Sequence, residues 1–493
     1  MDTNINPQTA SPLAGIPTEL LTRITGHLTT EDLCKVRLTC KLVASRMHSS
    51  FAYEFFRKKQ FMISTVSLQA LVDIADNPLG AGLNHVIMAT DVFRFGYHRK
   101  PSLYAALAAD QSYLVRTARY RDTLADVFRK LRDHLDTIDI RDFNSVTRFR
   151  EKNFVEGHTG SWSSYGAATA QNILGSPLVM QNHDPTFVAA MFTNVVAAVA
   201  QSGATPPNLE VVFQGRWGLE DNAFYIPPDL KDPMGPYLSN LRKLHLAVAP
   251  KQSTVDSDST LHLKTFLAAC PNLTWLRINF QGDWSEANDF IKWLAGDDTT
   301  RVLSPAAAAA ANGLDNAAAP YADFVIPSVP SAPLFPLEQL EIGLCTVQPY
   351  ILAKLFERFS VRTASLRRVV LDGSDASAAA PHAAADDKNL WAGVIRGLGG
   401  SKLRTLRLAL LGEQRNGQRH HAEFAYGTSQ KTVHHIGGTA ADPFGPLGDE
   451  IVVRVAGLGR YTTVQGSSDD EDDEDDEDDE DDEDDEDDED EDD

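Results

Sequence analysis

One spacing recurs along this chain and limits what it can fold into. Leucine, with Val, Ile or Met allowed in its place, returns in the pattern L-x-x-L-x-L. The matches are Leu83-Val86-Met88, Leu135-Ile138-Ile140, Leu241-Leu244-Leu246, Leu273-Leu276-Ile278, Leu337-Leu340-Ile342, Leu366-Val369-Leu371 and Leu403-Leu406-Leu408. A weaker copy starts at Leu209. The alternating end of each match predicts a short strand with two side chains turned the same way. Helical segments precede several of them: Leu68 to Ala75, Tyr120 to Leu131, Leu261 to Ala269, Ile351 to Phe359 and Leu390 to Leu398. A unit of one helix and one strand cannot bury its apolar face alone, so such units must stack. The expectation is an α/β chain in which an irregular helix–strand solenoid fills residues 56–411. The period is uneven: starts at 209, 241 and 273 are 32 apart, 337 to 366 is 29, and other gaps are longer. A non-repetitive α/β domain whose strands fit the spacing is the competing expectation.

Stretches of other composition interrupt the array. Residues 143–183 are rich in Gly, Ser and Asn, and residues 299–333 in Ala, Pro and Asp, so both read as surface loops, as does 374–387. Residues 412–466 are Gly-rich with a strand-like run from Glu450 to Val455, and they fit no assigned fold. Residues 1–11 are polar and read as a loose N-terminus. From Asp469 to Asp493 all 25 residues are Asp or Glu. Such a run repels itself and buries nothing, which predicts a disordered tail over 467–493. The run also accounts for the net charge of −24, since without it 45 basic residues stand against 44 acidic ones. A near-neutral body with a polyanionic tail is repelled by phosphates, which argues against a nucleic-acid partner. The four cysteines, Cys34, Cys40, Cys270 and Cys345, form no CxxC pair, which suits a reducing compartment. No basic segment leads into an apolar core at the N-terminus. The longest apolar stretch, Phe187 to Ala200, is interrupted by Thr193 and Asn194 and reads as a buried helix, not a membrane span. These features point to the cytoplasm or nucleus and to no membrane partner.

The N-terminal residues have their own pattern. Pro17 suits a first helical position, and Leu20, Leu21, Ile24 and Leu28 follow at helical spacing. Thr29 and Asp32 have the form of a capping box that starts a second helix carrying Leu33, Val36 and Cys40. A third helix runs through Val43 and Met47 into an aromatic cluster, Phe51, Tyr53, Phe55 and Phe56. Three short helices bury little by themselves, so the row Leu20, Ile24, Leu28, Leu33 and Val36 calls for a partner surface. Packing against the downstream units as an N-terminal cap is the alternative use of that row. The series Ile16-Pro17, Glu19-Leu20-Leu21, Ile24, Leu28, Asp32-Leu33 and Val36-Arg37-Leu38-Thr39-Cys40-Lys41 resembles the F-box in order and spacing. Ile16 stands where the family usually has Leu, and Gly26 weakens the first helix by up to about 1 kcal/mol relative to Ala. The resemblance covers residues 12–55. It implies a three-helix module that docks a Skp-type adaptor, and through it a cullin, using Ile16, Pro17, Glu19, Leu20, Leu21, Ile24, Leu28, Leu33, Val36 and Arg37. The downstream array is similar to the family's leucine-rich-repeat branch, whose members hold a protein substrate there for ubiquitination.

Side chains between the inward positions of each strand face the opposite way. They include Lys243, His245, Trp275, Arg277, Arg368 and Arg407, with Gln339 and Glu341 as exceptions, and form a candidate surface for an acidic or phosphorylated segment of an unknown protein substrate. An ordinary solvated sheet face is the plain alternative. No catalytic constellation is expected: there is no G-x-x-x-x-G-K-[ST], and Gly160-Ser161-Trp162-Ser163-Ser164 lacks the closing Gly of a nucleophile elbow. His420-His421 and His434-His435 have no cysteines nearby, so neither metal nor cofactor is expected. The reading is a non-catalytic receptor subunit of a ubiquitin ligase. A binder of basic proteins such as histones, working through the carboxylate run, is the alternative.

Overall fold

The computed structural model describes residues 12–436 apart from 94–99, 145–163, 176–183, 216, 251–258, 282–286, 298–329, 374–389, 399–401, 416–417, 423, 427 and 431. The expected loop at 299–333 thus falls almost wholly outside the described residues, and the run Glu450 to Val455 and the carboxylate tail fall wholly outside them.

The chain is mixed α/β. Helices α1 (Thr18–Thr25), α2 (Thr30–Thr39), α3 (Lys41–Arg46) and α4 (His48–Phe56) come first. The aromatic cluster is therefore a helix of its own, a fourth one. Strands follow in the order β1 (Lys58–Met62), β2 (His85–Ala89), β3 (Thr137–Arg141), β4 (Asn208–Val212), β5 (Lys243–Val248), β6 (Trp275–Phe280), β7 (Gln339–Val347), β8 (Thr363–Asp372) and β9 (Thr405–Ala409). Each pairs in parallel with the next in sequence, so spatial order equals chain order. The residue before each strand repeats one device. The Arg242 carbonyl accepts from Thr274 N and Trp275 N, Thr274 O from Glu338 N and Gln339 N, Glu338 O from Arg362 N and Thr363 N, and Arg362 O from Arg404 N and Thr405 N. Each strand start is thereby hung from the one before it.

The inner face of the sheet carries the core. In register across β5 to β9 lie Leu244, Leu276, Leu340, Ala364 and Leu406, then Leu246, Ile278, Ile342, Leu366 and Leu408. All ten are buried. The leading leucines Leu241, Leu273, Leu337 and Leu403 are buried too. At β8 the expected register is wrong. The strand there matches as Val361-x-x-Ala364-x-Leu366, and Leu366-Val369-Leu371 is displaced along the same strand. Alanine at an inward position hid the true match.

Helices join successive strands: α5 (Thr65–Ala75), α6 (Pro101–Thr117), α7 (Arg119–Leu131), α8 (Tyr165–Leu174), α9 (Pro185–Ser202), α10 (Pro228–Asn240), α11 (Leu261–Ala268), α12 (Ala287–Leu294), α13 (Pro349–Arg358) and α14 (Leu390–Gly397). The stretch 143–183 is thus not only loop. Tyr165 of α8 stacks on Phe61 of β1 at 5.3 Å, and Gly166 lies so close to Met62 that a Cβ there would sit 2.3 Å from its Cγ. Helix α9 is long and apolar enough to cross a membrane, yet most of it is buried in the core. Phe192 on it meets Phe224 at 5.2 Å and Phe266 of α11 at 5.9 Å.

Carboxylates fasten two of these helices. Asp221 accepts from the His262 and Leu263 amides at 3.0 and 2.8 Å, and Glu413 from those of Leu390 and Trp391 at 2.6 and 3.2 Å. Free N–H groups at a helix start favour such an acceptor.

From β7 onward the strands bend. Leu344, Arg368 and Leu410 have φ of 56°, 54° and 52°, and they follow the register partners Gly343, Arg367 and Ala409. A row of left-handed residues thus crosses three strands, after which β10 (Gly412–Arg415) continues alongside β8. The sheet closes with antiparallel partners: β11 (Gln418–His421) on β10 and β14 (Thr432–Ile436) on β9. The short hairpin of β12 (Phe424–Tyr426) and β13 (Thr428–Gln430) lies apart. The start of the region 412–466 is therefore β structure added to the end of the sheet.

Candidate interaction surfaces

The N-terminal helices enclose a small core of Leu21, Leu33, Val43, Met47, Phe51 and Phe55. Local devices hold it. Thr29 Oγ1 accepts from Asp32 N at 3.1 Å to start α2, and Arg46 donates to the Ile16 carbonyl at 2.7 Å, tying the leading segment to α3. The Arg37 guanidinium lies over the Phe51 ring at 3.4 Å, a cation–π contact. Phe56 and Leu79 pack against this core, and Phe56 also packs against the main one, which joins the module to the start of the sheet.

The expected docking row divides. Leu21 and Leu33 are buried and hold the module together, so they offer nothing to a partner. Ile16, Leu28, Val36 and Arg37 are half-buried, and Pro17 and Glu19 are exposed. Leu20 and Ile24, one turn apart on α1, are each 50% exposed. Leu38 and Leu42, which the expected row left out, are 86% and 47% exposed. Residue spacing could not separate the two apolar sides of α1, because Leu20 and Leu21 are adjacent and only packing decides which turns inward.

The outer face of the sheet is polar. One rung runs Asp139, Glu210, His245, Arg277, Glu341, Ser365 and Arg407 across β3 to β9. The rung beside it holds Lys243, Trp275, Gln339, Thr363 and Thr405. Lys243, His245, Trp275 and Arg277 therefore do come together. Lys243 Nζ is 3.2 Å from Glu210 and 4.0 Å from the Trp275 ring centroid. Trp275 donates to Glu341 at 2.7 Å, Gln339 donates to the same oxygen at 2.9 Å, and Arg277 Nε stands 3.6 Å from the other oxygen. The expected cationic patch is neutralised here by two carboxylates. Glu341 is an exception that the alternation itself shows, whereas Glu210 follows the weak Leu209 match and reaches Lys243 only through the pairing of β4 with β5.

His245 is buried, with its ring edge-on to Trp275 at 4.9 Å and Nε2 lacking a hydrogen-bond partner. Burial, then the charges of Lys243 and Arg277, push its pKa well below the ordinary histidine value. On β3, Asp139 and Arg141 form a buried pair at 3.0 Å, with His85 at 3.4 Å. Burial alone would raise the Asp139 carboxyl, but His85 and Arg141 outweigh it and hold the pKa below the usual value. Arg407 shares the rung, three strands from Arg277. Arg368 does not: it sits at the left-handed bend, because the displaced register gave it a place that belongs to Thr363.

Searches against models of known protein families and against curated proteins find no match for this chain. Among the described residues no cluster of His, Cys, Asp or Glu could hold a metal ion. The cysteines are unpaired, and burial raises the thiol pKa of Cys270 and Cys345.

Proposed function

We propose that this chain is a substrate-recruiting, non-catalytic subunit of a ubiquitin ligase, docking a Skp-type adaptor through its N-terminal helices. The observation that carries the proposal is the exposed side of that small module. Leu20 and Ile24 share a stripe of α1 with half their surface in water, and Leu38 is almost fully exposed. A module with six core side chains gains by covering such residues with a partner. Strands in chain order and strand starts hung one from the next support reading residues 56–411 as a leucine-rich-repeat-like array that holds the target.

The test is co-purification of adaptor and cullin with the tagged full chain from eukaryotic cells. Leu20→Asp with Ile24→Asp removes both partners while the melting temperature stays put, because both sites face water. Leu21→Asp is no substitute, since a carboxylate in that core unfolds the module. A wild-type chain, well expressed, that brings down neither adaptor nor cullin refutes the proposal. Binding of histones through the carboxylate run would survive the double substitution, which separates the two functions.

A further inference from the structure

We propose that the outer face of β2 to β4 holds a free α-amino acid with an apolar side chain, its carboxylate on Arg141 and its ammonium on Asp139. Both residues lie on the outer face of β3, and their side chains keep only 3% and 4% of their surface in water. Arg141 Nη2 is 3.0 Å from Asp139 Oδ2, an ion pair out of line for a hydrogen bond, and the guanidinium lies 4.9 Å from the Phe143 ring centroid. Those contacts leave atoms over. Among the described residues, Arg141 Nε and Nη2 and Asp139 Oδ1 make no hydrogen bond. The register explains why. Arg141 stands between Ala89 of β2 and Val212 of β4, which carry no side-chain acceptor, and Asp139 between Ile87 and Glu210, which carry no side-chain donor. Along β4 to β7 the outer face is different: Lys243 reaches Glu210, and Trp275 and Gln339 reach Glu341.

Nε–H and Nη2–H leave the planar guanidinium in parallel from one edge, the arrangement that grips both oxygens of a carboxylate. Buried polar atoms in folded proteins find partners, so this edge and Asp139 Oδ1 mark the place of an occupant. Its charge follows from that of the site. His85, 3.4 Å from Asp139, is neutral because burial lowers its pKa, while the Asp139 carboxyl stays ionised. Arg141 and Asp139 therefore cancel, and a buried site of zero net charge takes a ligand of zero net charge that presents both signs. A phosphate would set a second anion against Asp139, whereas a zwitterion gives each group its opposite. Ile87, Ala89 and Val212 flank the pair with apolar surface for the ligand's side chain. The inference does not rest on adaptor docking.

The experiment is isothermal titration calorimetry of the full chain with leucine, valine, phenylalanine, aspartate and lysine, together with melting temperatures. The apolar amino acids bind and raise the melting temperature. Aspartate and lysine bind about tenfold more weakly or worse, because their side chains would bury a charge. On the same wild-type chain, leucine stripped of its amino group or of its carboxylate loses about tenfold or more in affinity, since each change removes one ionic contact. R141K keeps the charge without the fork, and D139N keeps the shape without the charge; each weakens leucine to a similar extent. The two leucine analogues decide the matter if neither variant folds. No heat and no rise in melting temperature with any amino acid means that water alone serves these atoms, and overturns the inference. So does leucine binding that survives loss of its carboxylate, loss of its amino group, or R141K in a folded chain, and so does aspartate or lysine binding as tightly as leucine. Capture or loss of the adaptor changes none of these outcomes.

Discussion

Glu413 gives a direct test of how the last helix is attached to the sheet. Its side chain is fully buried on β10, and one carboxylate oxygen accepts from the Leu390 and Trp391 amides at 2.6 and 3.2 Å. The Trp391 indole in turn donates to the Gly412 carbonyl at 2.7 Å. Alanine at 413 leaves the buried Trp391 amide and the half-buried Leu390 amide without an acceptor. At roughly 1–3 kcal/mol for each orphaned group, the loss is about 3 kcal/mol, with part of the space refilled by relaxation. Glutamine keeps one neutral acceptor but gives up the charge facing the helix start, so E413Q costs about 1.5 kcal/mol. Each 1.4 kcal/mol is tenfold in an opening equilibrium, so amide exchange within Leu390–Gly397 speeds up about tenfold in E413Q and about a hundredfold in E413A. Hydrogen exchange read by mass spectrometry resolves this segment. If both variants exchange there at the wild-type rate, Glu413 does not hold the helix.

Two further outcomes follow from burial. Leu276→Ala, at a fully buried inward position between Leu244 and Leu340, lowers stability by about 2–5 kcal/mol in urea unfolding, whereas Leu38→Ala, in water, changes it by less than about 0.5 kcal/mol. His245 is neutral when folded because its pKa is pushed below 6.5, while the unfolded chain takes up its proton as pH falls through that value. Stability is therefore full above this range and declines below it, by up to about 1.4 kcal/mol at one pH unit lower. His245→Gln reduces the difference between unfolding midpoints at neutral and mildly acidic pH; an unchanged difference would show that the ring is protonated in the fold.

The apolar period was readable because each strand makes the same demand: a leucine-sized residue facing the helices at two alternate positions. It failed where another residue met that demand. Strand β1 aligns as Phe56-x-x-Lys59-x-Phe61, and Lys59 broke the pattern although its ammonium lies 5.1 Å from the Phe56 ring centroid. Ala364 did the same for β8, and the shifted match sets Arg368 in the place that Thr363 holds. Helix α10 is hidden in the sequence because Pro233 and Pro236 lie inside it; buried Met234, Tyr237 and Leu238 anchor it against the loss of the prolines' backbone donors. On the outer face, the cations were legible from alternation alone. Their neutralisation was not, because Glu210 and Arg277 reach their partners only once strands distant in sequence stand next to each other. In the N-terminal module the cap at Thr29 is local and could be read, whereas the choice between Leu20 and Leu21 is made by a core drawn from four helices.

The order of the strands has a consequence for how the protein is made. From β2 to β9 every strand pairs with the one synthesised just before it, so none of them waits for a distant partner to appear. β1 offers a template for β2, and each later strand finds its carbonyl acceptor in place. The exposed edge moves forward with synthesis until β14 and β11 cover it. An interruption of synthesis before residue 432 would release a chain whose β9 edge is open, and pairing of that edge with another chain is the expected route to its aggregation.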